Sequence, residues 1–140
     1  MKLFDTSVII DAKDASGEFH EWAKQQIADA MDSEGAAINS VVLAEASVRE
    51  TKREKFLSDL QNVGLTLLPL PVSAALPAAR AYAVYLDRLK AEGKVSKSKI
   101  PLGDFLIGAH AEAEGFELVT RDPERVQTYF PKVRLVIPSK

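Results

Sequence analysis

Short apolar runs alternate along the chain with longer segments whose apolar residues recur at helical spacing. The short runs, bounded by turn residues, predict strands at positions 3–4, 36–39, 65–70, 116–120 and 134–137. The longer segments predict helices at 6–13, 18–32, 41–50, 54–62, 73–91, 102–114 and 123–130. This alternation predicts an α/β protein in which helices cover both faces of a small, mostly parallel sheet, a three-layer α/β/α sandwich.

Capping residues indicate where these helices begin. Thr6 or Ser7 is the expected N-cap of the first helix, and Ser40 is the expected N-cap of the helix after the second strand. The long helix is expected to start at Ser73, with Pro77 in its first turn, where proline is tolerated.

Composition narrows the class of protein. With 140 residues, 46% hydrophobic and 27% charged, the chain is expected to form one soluble globular domain, residues 1–140. It has no cysteine, which excludes disulfides and thiolate metal sites. No apolar stretch approaches the roughly 20 residues of a membrane span, and no signal peptide is apparent, so a cytoplasmic location is expected. A net charge of −2 argues against general attraction to nucleic acid but leaves room for a local basic patch.

Four acidic residues follow the predicted strands. Asp5 comes directly after the first strand, Glu45 lies one turn into the helix after the second, Asp104 opens a helical stretch, and Asp122 follows the strand at 116–120. Because ligands bind at the carboxyl edge of such a sheet, we expect these carboxylates to form one negative pocket. Oxygen-only ligands suit Mg²⁺ or Mn²⁺. The pattern predicts a divalent-metal site and chemistry on a phosphate.

Taken singly, each acid is commonly a helix cap. Asp104 precedes an apolar helical run, and Asp122 precedes Pro123, so both fit that explanation. Glu45 fits it least, because it lies within an apolar helical run where a charge facing the core is costly. Asp11 is expected to be a solvated or capping acid, with a supporting role at the site as the alternative.

Hydroxyl and basic residues near the acids supply further candidates. The hydroxyls of Thr6, Ser7 and Thr120 are expected either to cap helices or to orient carboxylates and metal-bound waters. The candidates for contacts with a phosphate backbone are Lys97, Lys99, Arg121 and Arg125. For the lysines, a solvated loop is an equal alternative.

Neither histidine has the position of a ligand. His20 lies among the residues of the second helix and is expected to be exposed. His110 comes six residues after Asp104, roughly 240° around a helix, so it is not expected to share the face of that acid.

The ordered motifs DTSVIID, SVVLAE, GDFLIGAHA and LVTRDPERVQTYFP resemble those of PIN-domain proteins, most closely the VapC-type toxins of bacterial toxin–antitoxin pairs. The resemblance covers nearly the whole chain and implies a PIN-like fold. It implies that Asp5, Glu45, Asp104 and Asp122 are the catalytic acids, with Asp5, Asp104 and Asp122 holding the metal ion.

The same resemblance implies an activity and partners. The activity is Mg²⁺- or Mn²⁺-dependent endoribonuclease cleavage, in which a metal-activated water hydrolyses an RNA phosphodiester bond. The implied partner is a small antitoxin protein. A homodimer is expected as well, through the helix pair at 41–62, which could project from the domain, and the long helix at 73–91. The long helix carries more apolar surface than one core face needs.

One other function remains open at this point, and the sequence argues against two more. In a non-catalytic PIN-like interaction module, the acids would be caps, and a nuclease assay with and without chelator separates that module from an enzyme. A phosphatase of the haloacid-dehalogenase type, with Asp5 as nucleophile, needs a second acid two residues on, where Ser7 stands. A receiver domain needs an adjacent acid pair after the first strand, which is absent.

Overall fold

The computed structural model describes residues 1–93 and 99–139. Its strands are β1 (Lys2–Phe4), β2 (Ala36–Asn39), β3 (Thr66–Leu68), β4 (Glu117–Val119) and β5 (Leu135–Val136). Its helices are α1 (Thr6–Lys13), α2 (His20–Met31), α3 (Ser40–Ser47), α4 (Arg53–Val63), α5 (Val72–Ala91), α6 (Leu102–Glu114) and α7 (Pro123–Gln127).

The strands form one parallel sheet in the order β3-β2-β1-β4-β5. β1 lies at the centre, where Leu3 is in register with Ala37 of β2 and Leu118 of β4. These side chains are fully buried, as expected for a parallel sheet that helices cover. The predicted α/β class with a small parallel sheet is confirmed.

The path of the chain through the sheet creates a crevice. From β1 the chain proceeds to β2 and β3 on one side, and then crosses to β4 and β5 on the other side. Segments that leave β1 and β4 therefore diverge, and the space between them opens at the carboxyl ends of these strands. The backbone N–H of Asp5 donates to the carbonyl of Val119 at 3.0 Å, so the two strand ends lie side by side. Side chains just beyond β1 and β4 share this crevice.

A cluster of aromatic rings holds the helices on the β4 side of the crevice. Phe105 of α6 is at its centre, with ring centroids 5.0 Å from Tyr82 of α5 and 5.1 Å from Tyr129 after α7. Tyr85 and Phe130 complete the cluster. Each such pair contributes about 0.5–1.5 kcal/mol beyond its buried area. The cluster fixes the first turn of α6, one residue from Asp104.

Two N-caps differ from those predicted. Asp5, not Thr6 or Ser7, caps α1, and its side chain accepts from the backbone N–H of Thr6. Asn39, not Ser40, caps α3. In both cases the helix begins with no intervening linker, so the cap is an extended residue at the strand end: Asp5 directly follows β1, and Asn39 is the last residue of β2.

Prolines explain two further differences. β3 ends at Leu68 rather than position 70, because Pro69 and Pro71 have no N–H to continue the ladder. Pro77 is the sixth residue of α5, beyond the first turn where it was expected, so α5 continues with one backbone hydrogen bond fewer. Neither α5 nor any other helix in residues 1–93 and 99–139 is long and apolar enough to cross a bilayer.

Candidate active site

Three aspartates from separate elements meet in the crevice. Asp5 follows β1, Asp104 lies in the first turn of α6, and Asp122 directly precedes α7. Together with Arg125 of α7 they line one small cleft, whose apolar wall is formed by Ile107, Leu118 and Val126. The structure thus brings three of the four predicted acids together where the sequence placed them, at the carboxyl edge of the sheet.

Asp5 is the most enclosed of these acids. Its oxygens accept from the backbone N–H of Thr6 at 2.8 Å and from the hydroxyl of Thr120 at 2.7 Å. Burial raises the pKa of Asp5 to about 6 despite these hydrogen bonds, and the nearby carboxylates of Asp104 and Asp122 add to the rise. The Thr120 hydroxyl also accepts from the backbone N–H of Asp122 at 3.0 Å, so it links the ends of β1 and β4.

Asp104 pairs with an arginine and does not cap its helix. Pro101 has the N-cap position of α6, and no side chain forms a cap hydrogen bond there. Arg125 donates from Nη1 to Asp104 Oδ2 at 2.7 Å. Burial nevertheless raises the pKa of Asp104, and Arg125 offsets part of that rise. Asp122 has the N-cap position of α7 without a side-chain cap bond. The helix-cap explanation therefore applies to Asp5 alone among the three.

Glu45 borders the cleft from α3. Its Oε1 accepts from the Thr6 hydroxyl at 2.5 Å. Its Oε2 lies against the first turn of α6, since a Cβ added to Gly103 would be 2.5 Å from it. The N-terminus of a helix favours a carboxylate at this place. Glu45 thus contacts Gly103, the residue before Asp104, without lining the cleft itself.

Of the smaller candidates, Thr6 and Thr120 contact the acids and Ser7 does not. The Ser7 hydroxyl is buried and has no hydrogen-bond partner within the described part of the chain.

The basic candidates divide into three groups. Arg125 lies in the cleft. Arg121 forms an ion pair with Asp11, Nε to Oδ2 at 2.5 Å, and its guanidinium lies 5.0 Å from the ring centroid of Phe19. Lys99 is exposed. Lys97 lies outside the described residues.

Two expectations about other polar residues are wrong. Asp11 is neither solvated nor a cap, because the ion pair with Arg121 supplies the charge that allows it to be buried. His20 is half-buried rather than exposed, with its Nδ1 3.0 Å from the carbonyl oxygen of Asp11.

His110 turns away from the acids, as its spacing from Asp104 predicted. It is buried and bonded to Asn39. Sequence reasoning missed both Asn39 and Gly103. The sequence held one indication of Gly103: a glycine stands directly before Asp104 in the first turn of a predicted helix, although glycine is a poor helix former.

The donor set of the cleft is entirely oxygen, and Arg125 is the positive charge that lines it. Within residues 1–93 and 99–139, no three acidic or histidine side chains already have the arrangement of a metal site.

Comparison with known proteins identifies the fold. The sequence matches the PIN domain family over residues 2–131. None of the curated proteins compared with the chain matches it.

Several solved structures are similar to the chain over almost its whole length. One is VapBC2 from Rickettsia felis bound to a DNA fragment from its promoter, with a TM-score of 0.64 and 20% identity, covering 99% of this chain and 98% of that one. Another is DNA-bound VapBC from Salmonella typhimurium, with a TM-score of 0.64 and 18% identity, covering 97% and 96%. A toxin–antitoxin complex from Klebsiella pneumoniae has a TM-score of 0.60 and 22% identity, covering 100% and 99%.

At these identities the structures establish the fold alone, whereas the family match extends from the central strand past the last of the clustered acids. The chain with three aspartates at the β1–β4 crevice belongs to the PIN domain family.

Proposed function

We propose that the protein is a metal-dependent endoribonuclease, the toxin of a type II toxin–antitoxin pair. The observation that carries this proposal is the convergence of Asp5, Asp104 and Asp122 in one cleft, where the pKa of Asp5 rises to about 6. Clustered carboxylates whose pKa values are raised by burial and by one another are typical of a functional site rather than of a structural one. Membership of the PIN domain family, whose members are generally nucleases, supports the same function.

The residues of the cleft fit a divalent cation. Asp5, Asp104 and Asp122 would hold Mg²⁺ or Mn²⁺, whose preferred ligands are carboxylate oxygens and water. Arg125 already satisfies part of the demand for positive charge at Asp104. Such an ion supplies two kinds of chemistry when bound: it polarises a phosphate oxygen and lowers the pKa of water.

The side chains around the cleft divide the remaining work. The carboxylate of Glu45, held by the Thr6 hydroxyl, accepts a hydrogen bond from the attacking water and orients it. The Thr120 hydroxyl donates to the Asp5 carboxylate and accepts from the backbone N–H of Asp122. These two hydrogen bonds fix the distance between the two acids. Once the Arg125 side chain leaves Asp104, it can contact the phosphate at the cleft. Lys99 is exposed and can contact the RNA backbone. Arg121 would first have to leave its ion pair with Asp11, so it is the weakest of the proposed RNA contacts.

An apolar groove supports the proposed antitoxin partner. It has a volume of about 500 Å³ and runs between α1, α2 and α4, with Ile9, Ile27, Phe56 and Leu60 among its lining residues. Lys13, Lys24, Asp32 and Asp59 lie at its margin. An amphipathic helix of a partner docks on a surface of this kind, with apolar residues inside and charges at the rim. Two of the similar structures are VapBC complexes and a third is a toxin–antitoxin complex.

A nuclease assay tests the proposed activity directly. Purified protein should cleave RNA with Mg²⁺ or Mn²⁺ and stop when EDTA is added. Asp5→Asn and Asp104→Asn should each remove most of the activity, because each removes a ligand charge. Asp87→Asn, the same change at an exposed site on α5, is the matched control and should cleave like wild type.

Two results would contradict the proposal. Cleavage that EDTA does not inhibit would exclude the metal-dependent mechanism. Absence of cleavage, together with a melting temperature that does not respond to millimolar Mg²⁺ or Mn²⁺, would leave the non-catalytic interaction module as the better explanation.

A further inference from the structure

One buried contact joins the two helices that carry Glu45 and Asp104. Asn39, at the end of β2, is 1% exposed, and His110 of α6 is 2% exposed. The amide nitrogen of Asn39 lies 3.1 Å from Nδ1 of His110. The amide oxygen of Asn39 accepts from the backbone N–H of Val42 at 2.9 Å and thereby caps α3.

These distances determine the protonation of the histidine. The backbone N–H of Val42 can only donate, so the Asn39 oxygen faces Val42 and its NH₂ group faces His110. An NH₂ group can only donate, so Nδ1 accepts and carries no proton. The ring is therefore neutral with its proton on Nε2. Burial lowers the pKa of His110, which favours the same state.

The same two helices touch again at their other ends, where Glu45 lies against Gly103. His110 is seven positions after Gly103 on α6, and Glu45 is six positions after Asn39, the N-cap of α3. At the rise of an α-helix these spacings correspond to about 10.5 Å and about 9 Å along the axis. The helices thus run antiparallel and are pinned at two matching points. Two such contacts prevent α3 from sliding along α6.

We propose that His110 is a positioning residue for the nuclease reaction: by holding Asn39, it fixes α3 on α6 and so places the Glu45 carboxylate against Gly103, the residue before Asp104. This inference rests on the proposed function, since it assumes that Glu45 acts in the reaction. It gives a buried histidine that does not line the cleft a role other than binding metal or transferring a proton.

Two substitutions at His110 separate positioning from packing. His110→Leu fills much of the volume but offers no acceptor to Asn39. His110→Asn removes the ring and its packing against Phe116 but puts an amide oxygen where Nδ1 stands. We expect kcat on RNA to fall about 10–100-fold in His110→Leu with KM unchanged. In His110→Asn we expect kcat within about threefold of wild type, although its melting temperature should fall at least as much as that of His110→Leu. Should His110→Leu fail to fold, Asn39→Ser removes the same bond from the other side while keeping a cap on α3, and should lower kcat alike.

Measurements on the metal-free protein test the contact without any assay of activity. Imidazole nitrogen chemical shifts should show an unprotonated, hydrogen-bonded Nδ1 in wild type. Exchange of the Val42 amide should accelerate about fivefold or more in His110→Leu and recover in His110→Asn.

Each outcome bears on the inference. Equal kcat values for His110→Leu and His110→Asn, or a protonated Nδ1 in wild type, would overturn it. Wild-type protein that cleaves no RNA would defeat the proposed function, and with it the role of the contact in catalysis. The chemical shifts and the Val42 exchange would then still show whether the two helices are joined as described.

Discussion

At the scale of single residues, Asp5 serves two structural purposes that conflict. Its carboxylate caps α1 through the backbone N–H of Thr6, which favours the ionised form. Its place at the bottom of the crevice removes it from water, which favours the neutral form. The effect of burial is the larger of the two, so the pKa of Asp5 is raised. At neutral pH, ionised Asp5 therefore destabilises the folded, metal-free protein.

Replacing Asp5 with asparagine should remove that cost. The pKa of Asp5 is about 6 in the folded protein, against 3.8 for an unperturbed Asp side chain. The folded state therefore holds the proton more tightly, and the stability from this group is complete below pH 3.8 and lost as the pH rises through about 6. At pH 7–8, metal-free Asp5→Asn should be more stable than wild type by about 1–3 kcal/mol.

Urea unfolding in EDTA measures this difference across pH. The advantage of Asp5→Asn should shrink as the pH falls from 7 toward 4, whereas Asp87→Asn should show no such trend. A difference that is constant over this range would mean that the pKa of Asp5 is not raised.

Two glycines of α6 predict opposite outcomes for the same substitution. In Gly103→Ala the new Cβ would lie 2.5 Å from Oε2 at the end of the Glu45 side chain, which can move aside at little cost to the fold, and at an ordinary 3.4 Å from Cγ1 of Val41. The hydrogen bond from Thr6 to Glu45 would break, so activity should fall about 10–100-fold with little change in melting temperature. In Gly108→Ala the new Cβ would lie 2.7 Å from a ring atom of Phe130, inside the core. Overpacking there should cost about 1–3 kcal/mol.

Thermal unfolding and steady-state cleavage of the two variants test this pair. If Gly103→Ala loses stability as Gly108→Ala does, or retains full activity, Glu45 does not depend on the space that Gly103 leaves.

At the scale of elements, α7 positions Asp122, which directly precedes it, and Arg125, which pairs with Asp104. α7 has only five residues, yet it fixes Asp122 at its N-cap and directs Arg125 toward Asp104. Arg125 is about half exposed, so its pair with Asp104 contributes little to stability. The pair matters instead because the arginine and a metal ion would compete for the same oxygen.

Arg125→Ala should therefore bind Mn²⁺ more tightly than wild type while cleaving RNA more slowly. Loss of an exposed ion pair corresponds to an increase in metal affinity of about two- to fivefold. Calorimetric titration of the metal-free protein with Mn²⁺ measures this. Arg134→Ala, an exposed arginine outside the cleft, is the control. Weaker Mn²⁺ binding in Arg125→Ala would show that the arginine supports the metal site rather than competing for it.

The elements themselves were largely predictable from sequence. The bounds of α6 were correct, because an apolar helical pattern ends at Gly115, which adopts the positive φ that favours glycine. The positions of Asp5 and Asp122 followed from where β1 and β4 end, and that of Asp104 from where α6 begins; the structure groups the three acids. Contacts between residues far apart in the sequence could not be predicted from local patterns. Nothing near Asp11 in sequence reveals that Arg121 neutralises it, and nothing near Asn39 reveals His110.

At the scale of the whole molecule, α5 leaves apolar side chains uncovered. Val72 is 89% exposed and Leu76 is 68% exposed, and Val84 lies farther along the same helix with 47% exposed. Exposed aliphatic residues repeated along one helix indicate an interface. We expect this surface to form the homodimer contact.

Light scattering at micromolar concentration should give the mass of a dimer for wild type and of a monomer for Leu76→Glu. Ile137→Glu places the same charge at another exposed aliphatic residue and should leave the dimer intact. A wild-type monomer, or a Leu76→Glu dimer, would exclude α5 as the contact.

The separation in sequence of the residues that meet at the crevice has a consequence for synthesis of the protein. Thr120 and Asp5 are 115 positions apart, and β1 acquires its neighbour β4 only after most of the chain exists. A nascent chain that has emerged through α5 carries Asp5 and Glu45 but neither Asp104 nor Asp122. If the cleft is the nuclease site, a growing polypeptide cannot attack RNA near its own ribosome. In that case the order of translation delays RNA cleavage until α6, β4 and α7 have folded onto β1.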